Sequence, residues 1–205
     1  MNTDKLTTTN ILLAIKQATT QAHDKIELNP LTKAITDNTI TQENYLLLLK
    51  KFYGFYQATE PLLKEGTFWQ QMNFDIQQRS KTPYLLKDLQ YFGLSTKEIQ
   101  QIPICKKIPT LDTTAQKIAY LYVIEGSSLG GQVLSRQLHQ KFQFTAQQGA
   151  AYFNSYGKEN LKNMWFGFQN LLTNFAEQHP EEEAQMIKTA KETFEKLDLW
   201  LATSI

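Results

Sequence analysis

The stretch Tyr120–Arg136, reading Tyr-Leu-Tyr-Val-Ile-Glu-Gly-Ser-Ser-Leu-Gly-Gly-Gln-Val-Leu-Ser-Arg, constrains this chain more than any other. Helix-forming sequence flanks it: Ala115 to Ile124 leads in and Gln132 to Phe142 leads out, with Gly126, Gly130 and Gly131 between. A glycine inside a helix costs roughly 1 kcal/mol relative to alanine because it has more backbone freedom to lose, so the three cost about 3 kcal/mol. A chain that keeps them gains something a Cβ would prevent. The general form of that gain is close approach of bare backbone to a bulky neighbour, with a bend in the helix. Gly126 and Gly130, four apart on one face, also fit simple helix-on-helix contact.

The rest of the chain is helical in pattern as well. Ile11, Ile15, Ala18, Ala22 and Ile26 recur at helical spacing and predict a first helix over Asn10 to Leu28, closed by Asn29-Pro30. Beside that stripe runs a second one: Leu12, Lys16, Thr19, His23 and Glu27. Thr39-x-x-Gln42 resembles a capping box opening a long helix that Pro61 is expected to kink or restart. Gly66 to Lys81 reads as short helix or loop. Thr82-Pro83 reads as N-cap and first helical position, Gly93 as a stop, and Ser95-x-x-Glu98 as another capping box. Ile102 to Asp112 is a connector, and Thr145-x-x-Gln148 is expected to start a helix broken near Gly157. Lys158 to Gln178 and Glu181 to Leu201 complete the set, separated by His179-Pro180. Without any alternating strand pattern, the fold class is all-α: one multi-helix domain over residues 10–205, preceded by a disordered N-terminus at 1–9.

Charge and cysteine content exclude several functions. A net charge of +1 without a basic stripe argues against nucleic acid. The one cysteine, Cys105, allows no intrachain disulfide and fits a reducing compartment. No apolar run approaches the ~20 residues needed to cross a bilayer, and the start lacks a signal-peptide core. A cytoplasmic protein is expected. Walker loops, zinc-ligand spacing and carboxylate dyads are absent from the sequence. Lys106-Lys107 beside Cys105 is expected to lower the thiol pKa, yet no histidine stands at catalytic spacing. His139 reads as a helix-surface residue, His179 as a helix cap, and Trp165, Phe168 and Phe194 as core.

Two stretches then belong together. Lys16-Gln-Ala-Thr-Thr-Gln-Ala-His-Asp-Lys-Ile-Glu27 resembles the first helix of the haem oxygenases. Glu125-Gly-Ser-Ser-Leu-Gly-Gly-Gln-Val-Leu134 resembles their distal helix, particularly in the bacterial branch. Tyr53 to Pro61, Arg79 to Leu89, and Tyr152 to Gly157 followed by Trp165 are also similar to that family. The likeness spans most of the chain, in order.

The resemblance implies a haem held between the first helix and a glycine-kinked distal helix. Alone, His23 reads as a packed or solvated histidine; the resemblance makes it the iron ligand, with the opposite axial position open to oxygen. Glu27, one turn on, becomes a partner for the other ring nitrogen, against a bland reading as a solvated charge. Lys16, two turns before His23, becomes a contact for a haem propionate, and Lys162 a second one; each otherwise reads as a surface lysine. Phe166 stands where the family pattern suggests arginine. Gly126, Gly130 and Gly131 become the bare backbone against the macrocycle and bound oxygen. Ser127 occupies the position at which animal members carry an aspartate that anchors a water network, and bacterial relatives also carry serine there.

The implied activity is oxidative cleavage of haem to biliverdin, carbon monoxide and ferrous iron. It uses O2 and electrons from an external reductase or ferredoxin, because the chain has no flavin or dinucleotide fingerprint. A monomer is expected. The alternatives are a non-catalytic haem carrier or sensor of the same fold, and an all-α enzyme acting on another small molecule.

Overall fold

The computed structural model describes residues 10–205, so the disordered stretch expected at 1–9 lies outside the described residues. Helix α1 (Ile11–Glu27) starts at Asn10, whose side chain accepts from the Leu12 and Leu13 amides. Its buried face differs slightly from the expected stripe: Ile11, Ile15 and Thr19 are inside, while Ala18 is exposed. Thr19 can be buried because its hydroxyl donates to the Ile15 carbonyl at 2.8 Å. Asn29-Pro30 does end α1, but the chain restarts at once as α2 (Pro30–Thr36). The Asn29 side chain caps α2, and Pro30 sits where a missing N–H has no consequence.

In α3 (Gln42–Lys64) the cap is Thr41, which accepts from the Asn44 amide at 3.2 Å; the box expected from Thr39 does not form. Pro61 lies in its last turn and does not restart it. After α4 (Phe68–Gln71) and a 3-10 turn at Gln77–Arg79 comes α5 (Thr82–Tyr91). Its N-terminus corrects the expected Thr82 cap: Lys81 holds the cap position, and the α3 carboxylate of Glu60 accepts from the Lys81 and Thr82 amides. The Thr82 hydroxyl, buried inside the helix, finds no partner.

Gly93, at φ +83°, closes α5, and the Ser95–Glu98 capping box opens α6 (Thr96–Gln100) as expected. A second capping box, Thr113 with Gln116, opens α7 (Thr114–Phe142), an unbroken helix of 29 residues. Nearly all of α7 from Ala115 to Glu125 is buried; beyond that only Gly131 and Leu138 are. The helix therefore leaves the core at Gly126, where its glycines begin.

The helix expected from Thr145 is replaced by a tight turn in which Thr145 and Gln148 exchange backbone hydrogen bonds of 2.9 and 3.0 Å. Gly149 at φ +82° turns the chain away from helical continuation, and its carbonyl accepts from buried Tyr45 at 2.8 Å. A 3-10 turn at Tyr152–Asn154 leads into α8 (Gly157–Gln178), and another at Pro180–Glu182 into α9 (Glu183–Ala202).

Helix α9 packs on both α1 and α7, while α8 packs on α7 and, less extensively, on α1. Helices α1 and α7 have little contact with each other. Asp198 fixes the end of α1 to α9, pairing with Lys25 at 2.9 Å and accepting from Asn29 at 3.2 Å. No described helix is long and apolar enough to cross a membrane.

Candidate functional site

Lys16, His23 and Glu27 all lie exposed on α1. The His23 ring meets Phe194 of α9 edge-on, with centroids 5.7 Å apart at 75°, and its side chain stays 52% exposed. Its Nε2 is 3.7 Å from a Glu27 oxygen and its Nδ1 3.8 Å from an Asp24 oxygen. Both separations exceed a hydrogen bond, so neither nitrogen is committed. Lys16 is seven residues earlier on the same helix, about 10.5 Å along its axis.

Lys162 is exposed near the start of α8. Among the described residues neither Lys16 nor Lys162 belongs to an ion pair. One turn past Lys162, the Trp165 ring lies 3.9 Å from the point a Cβ on Gly126 would occupy. Trp165 thus sets α8 beside the glycine run at Gly126. Among the described residues no hydrogen bond or ion pair joins the α1 group to the glycines of α7.

The glycines are not explained by the chain's own packing. A Cβ on Gly130 would meet no atom within 4 Å, and one on Gly131 would touch Phe153 at 3.4 Å, an ordinary van der Waals distance. At Gly126 a Cβ would meet only the Trp165 ring, at an ordinary 3.9 Å, so alanine fits at all three positions and close helix-on-helix approach does not require them. Leu129 and Val133, four apart on the same helix, are 37% and 50% exposed, and Phe166 on α8 is 59% exposed. Uncovered Leu129 and Val133 beside bare backbone on the same helix suit a flat, largely apolar ligand. The residues present therefore fit a haem.

The two serines of this run differ. Ser127 is exposed, and its hydroxyl donates back to the Ile124 carbonyl at 2.8 Å. Ser128 also reaches Ile124, at a longer 3.2 Å, and accepts from the Lys81 ammonium at 3.0 Å.

Behind the glycine face lies a buried polar cluster to which the sequence reading assigned no role. Glu125, 1% exposed, accepts from Arg79 at 2.6 Å and from the Tyr156 hydroxyl at 2.6 Å. Arg79 also donates to the Met164 carbonyl at 2.8 Å and lies over the Phe74 ring. Burial first, then the Glu125 charge, raises the Tyr156 pKa far above its usual value, so it remains a donor. Burial lowers the Lys81 pKa to about 8, with Glu125 and Glu60 opposing and Arg79 adding to the fall. The available signal was Glu125 itself, a carboxylate at the end of the apolar run Leu121 to Ile124.

The remaining candidates fall outside the site. Cys105 is buried, and burial raises its thiol pKa, correcting the lowering expected from Lys106-Lys107. His139 is exposed, and His179 follows α8 as its cap residue. Phe168 and Phe194 are core, with Trp165 half-buried against them.

This geometry defines a class: a helical domain offering an uncommitted histidine on one helix and bare backbone on another to a flat ligand. The family profile described as heme oxygenase matches residues 9–202. A haem oxygenase of Rhodella violacea is 27% identical over 167 residues, 76% of this chain and 70% of its own. A haem oxygenase from Neisseria meningitidis, solved in NO- and CO-bound forms, aligns with a TM-score of 0.75 at 22% identity, covering 93% of this chain and 89% of its own. One from the cyanobacterium Synechocystis, solved with haem, aligns with a TM-score of 0.71 at 16% identity, covering 94% and 90%. The chain belongs to the haem oxygenase family, whose members degrade haem and whose standard product is biliverdin.

Proposed function

We propose that this chain binds haem between α1 and α7 and cleaves it to biliverdin, carbon monoxide and ferrous iron, with His23 as the iron ligand. Haem, when bound, supplies both the iron that activates O2 and the ring that is opened. The chain supplies position. Glu27 orients the His23 ring, and Lys16 and Lys162 meet the propionates at the rim. Gly126 and Gly130 let the α7 backbone lie against the macrocycle, while Gly131 keeps the wall at Phe153 thin. Electrons come from a separate ferredoxin or flavoprotein reductase that docks at the exposed haem edge. The working form is a cytoplasmic monomer; the buried free thiol of Cys105 supports the reducing compartment.

The observation that carries this reading is the glycine run: three costly helix glycines, none demanded by a neighbouring atom of the chain, beside apolar side chains left uncovered. One observation favours a non-catalytic haem binder instead. The Ser127 hydroxyl is spent on the Ile124 carbonyl and does not substitute directly for an acidic group.

The test is the visible spectrum of hemin-loaded protein, followed over time with a reductant under air, beside His23→Ala. Decay of the haem band into a bilin spectrum, with altered haem binding in the variant, supports the enzyme and the ligand together. A stable reduced or oxygenated haem spectrum that persists with added ferredoxin and its reductase makes the protein a carrier or sensor.

A further inference from the structure

We propose that Trp165 is a specificity-determining residue for haem cleavage: its indole ring, lying across Gly126, ends the open part of the α7 glycine face and so fixes how the macrocycle is seated in its own plane. The proposal rests on the haem-oxygenase reading of that face.

Gly126 and Gly130 are four residues apart, so they share one face of α7 about 6 Å apart along its axis. Their surroundings differ. A Cβ on Gly126 would meet Cη2 and Cζ3 of Trp165, each at 3.9 Å, whereas one on Gly130 would meet nothing within 4 Å. Leu129 and Val133, which flank Gly130 on the same helix, are uncovered as well. The face is therefore covered at its first glycine and open from the second onward. What marks the step is the far edge of one indole ring, contributed by α8.

That ring is held by packing and not by a hydrogen bond. Its neighbours are Phe168, fully buried on α8 with centroids 5.8 Å apart, and Tyr122, one turn before Gly126 on α7, at 6.1 Å. Trp69 and Trp200 donate their indole N–H groups to the Leu63 and Lys51 carbonyls; among the described residues the Trp165 N–H has no acceptor. A tryptophan that serves the fold alone would have that group paired, as those two do. Trp165 is instead half-buried, with its ring edge laid on the glycine face. In the haem reading, His23 places the iron but leaves the macrocycle free to turn about a single axial bond. A contact at the periphery has to supply the missing constraint. The groups around a haem differ in bulk and charge, so a fixed apolar wall at one edge admits some rotations and resists others. The rotation it admits decides which edge of the ring is presented for opening.

The experiment records the haem-methyl proton resonances of the ferric, cyanide-ligated protein, which report how the macrocycle is turned about the iron–histidine axis and need no turnover. Trp165→Phe keeps an aromatic ring beside Phe168 but lacks the Cη2 and Cζ3 edge that reaches Gly126. The ratio of minor to major seating should rise about ten-fold in Trp165→Phe and further in Trp165→Ala. The mixture of biliverdin isomers released on turnover should change in the same sense. A merely structural tryptophan would lower the thermal midpoint and leave the methyl pattern as in wild type. An unchanged pattern in either variant that folds and binds hemin overturns the proposal alone. Failure of the wild-type chain to bind hemin would overturn the haem reading, and the proposal with it.

Discussion

Arg79 Nη1 stands 2.6 Å from Glu125 Oε2, with the two side chains only 8% and 1% exposed. The pair sits where α7 leaves the core, so the one carboxylate at the head of the glycine run is neutralised from outside its own helix. The same Arg79 nitrogen donates to the Met164 carbonyl of α8, and Tyr156 closes on the other Glu125 oxygen. One ion pair thereby fixes α7, α8 and the turn before α5 relative to one another.

Removing one partner leaves a buried charge without compensation, at a cost of about 3–5 kcal/mol. For a chain of this length that corresponds to a fall in Tm of roughly 10 °C. Arg79→Met and Glu125→Gln should each show it by thermal unfolding of the apoprotein. The double variant Arg79→Met/Glu125→Gln should recover part of the loss, because no charge is then stranded. A double variant that loses the sum of the two single losses would mean the residues act independently.

Asp88 makes a second buried anchor, accepting from the Ala151 and Tyr152 amides at 2.7 and 2.8 Å. Burial pushes its carboxyl up to about 6 in spite of those two donors. An unfolded aspartate titrates near ~3.9. Between those values the folded chain holds a proton the unfolded chain has released, so this group's contribution to stability falls as pH rises through that window. Asp88→Asn cannot titrate. The stability of wild type relative to Asp88→Asn should therefore drop between pH 4 and pH 7, by on the order of 2 kcal/mol, in urea unfolding. A difference that is flat with pH would show that the two amides hold the carboxylate ionised throughout.

What the sequence discloses depends on whether the deciding interaction is local. The Ser95–Glu98 capping box, the Gly93 stop and the ends of α1 and α8 were legible because each is settled within a few residues. The cap of α5 was not, since its acceptor is Glu60 on α3, and the lost helix at Thr145 turns on Gly149 held by Tyr45. The same division runs through the site. His23, Glu27 and Lys16 share one helix face, and the glycines share one run, so each group is local in sequence, yet it was the resemblance to the haem oxygenases and not the spacing that marked them as candidates. Arg79, Lys81 and Tyr156 reach Glu125 or Ser128 only by tertiary contact, and nothing in their own neighbourhoods announces it.

The glycine run lets stability and ligand handling be separated at single positions. At Gly130 a methyl group meets nothing within 4 Å, so Gly130→Ala should stabilise the apoprotein through helix propensity alone, by up to ~1 kcal/mol. A haem lying on that face would meet the same methyl group. Gly130→Ala should therefore weaken hemin binding or slow its conversion about ten-fold or more, while the Tm of the apoprotein rises by a few degrees. Gly131→Ala, whose methyl points at Phe153 rather than open space, should lose far less. The two are measured together by hemin titration and by single-turnover decay of the haem band. If Gly130→Ala bound and converted hemin like wild type, the bare backbone at that position would not be the surface on which the ligand lies. A gain in stability coupled to a loss of haem chemistry would mean that α7 holds its glycines against its own helical preference for the sake of what it contacts.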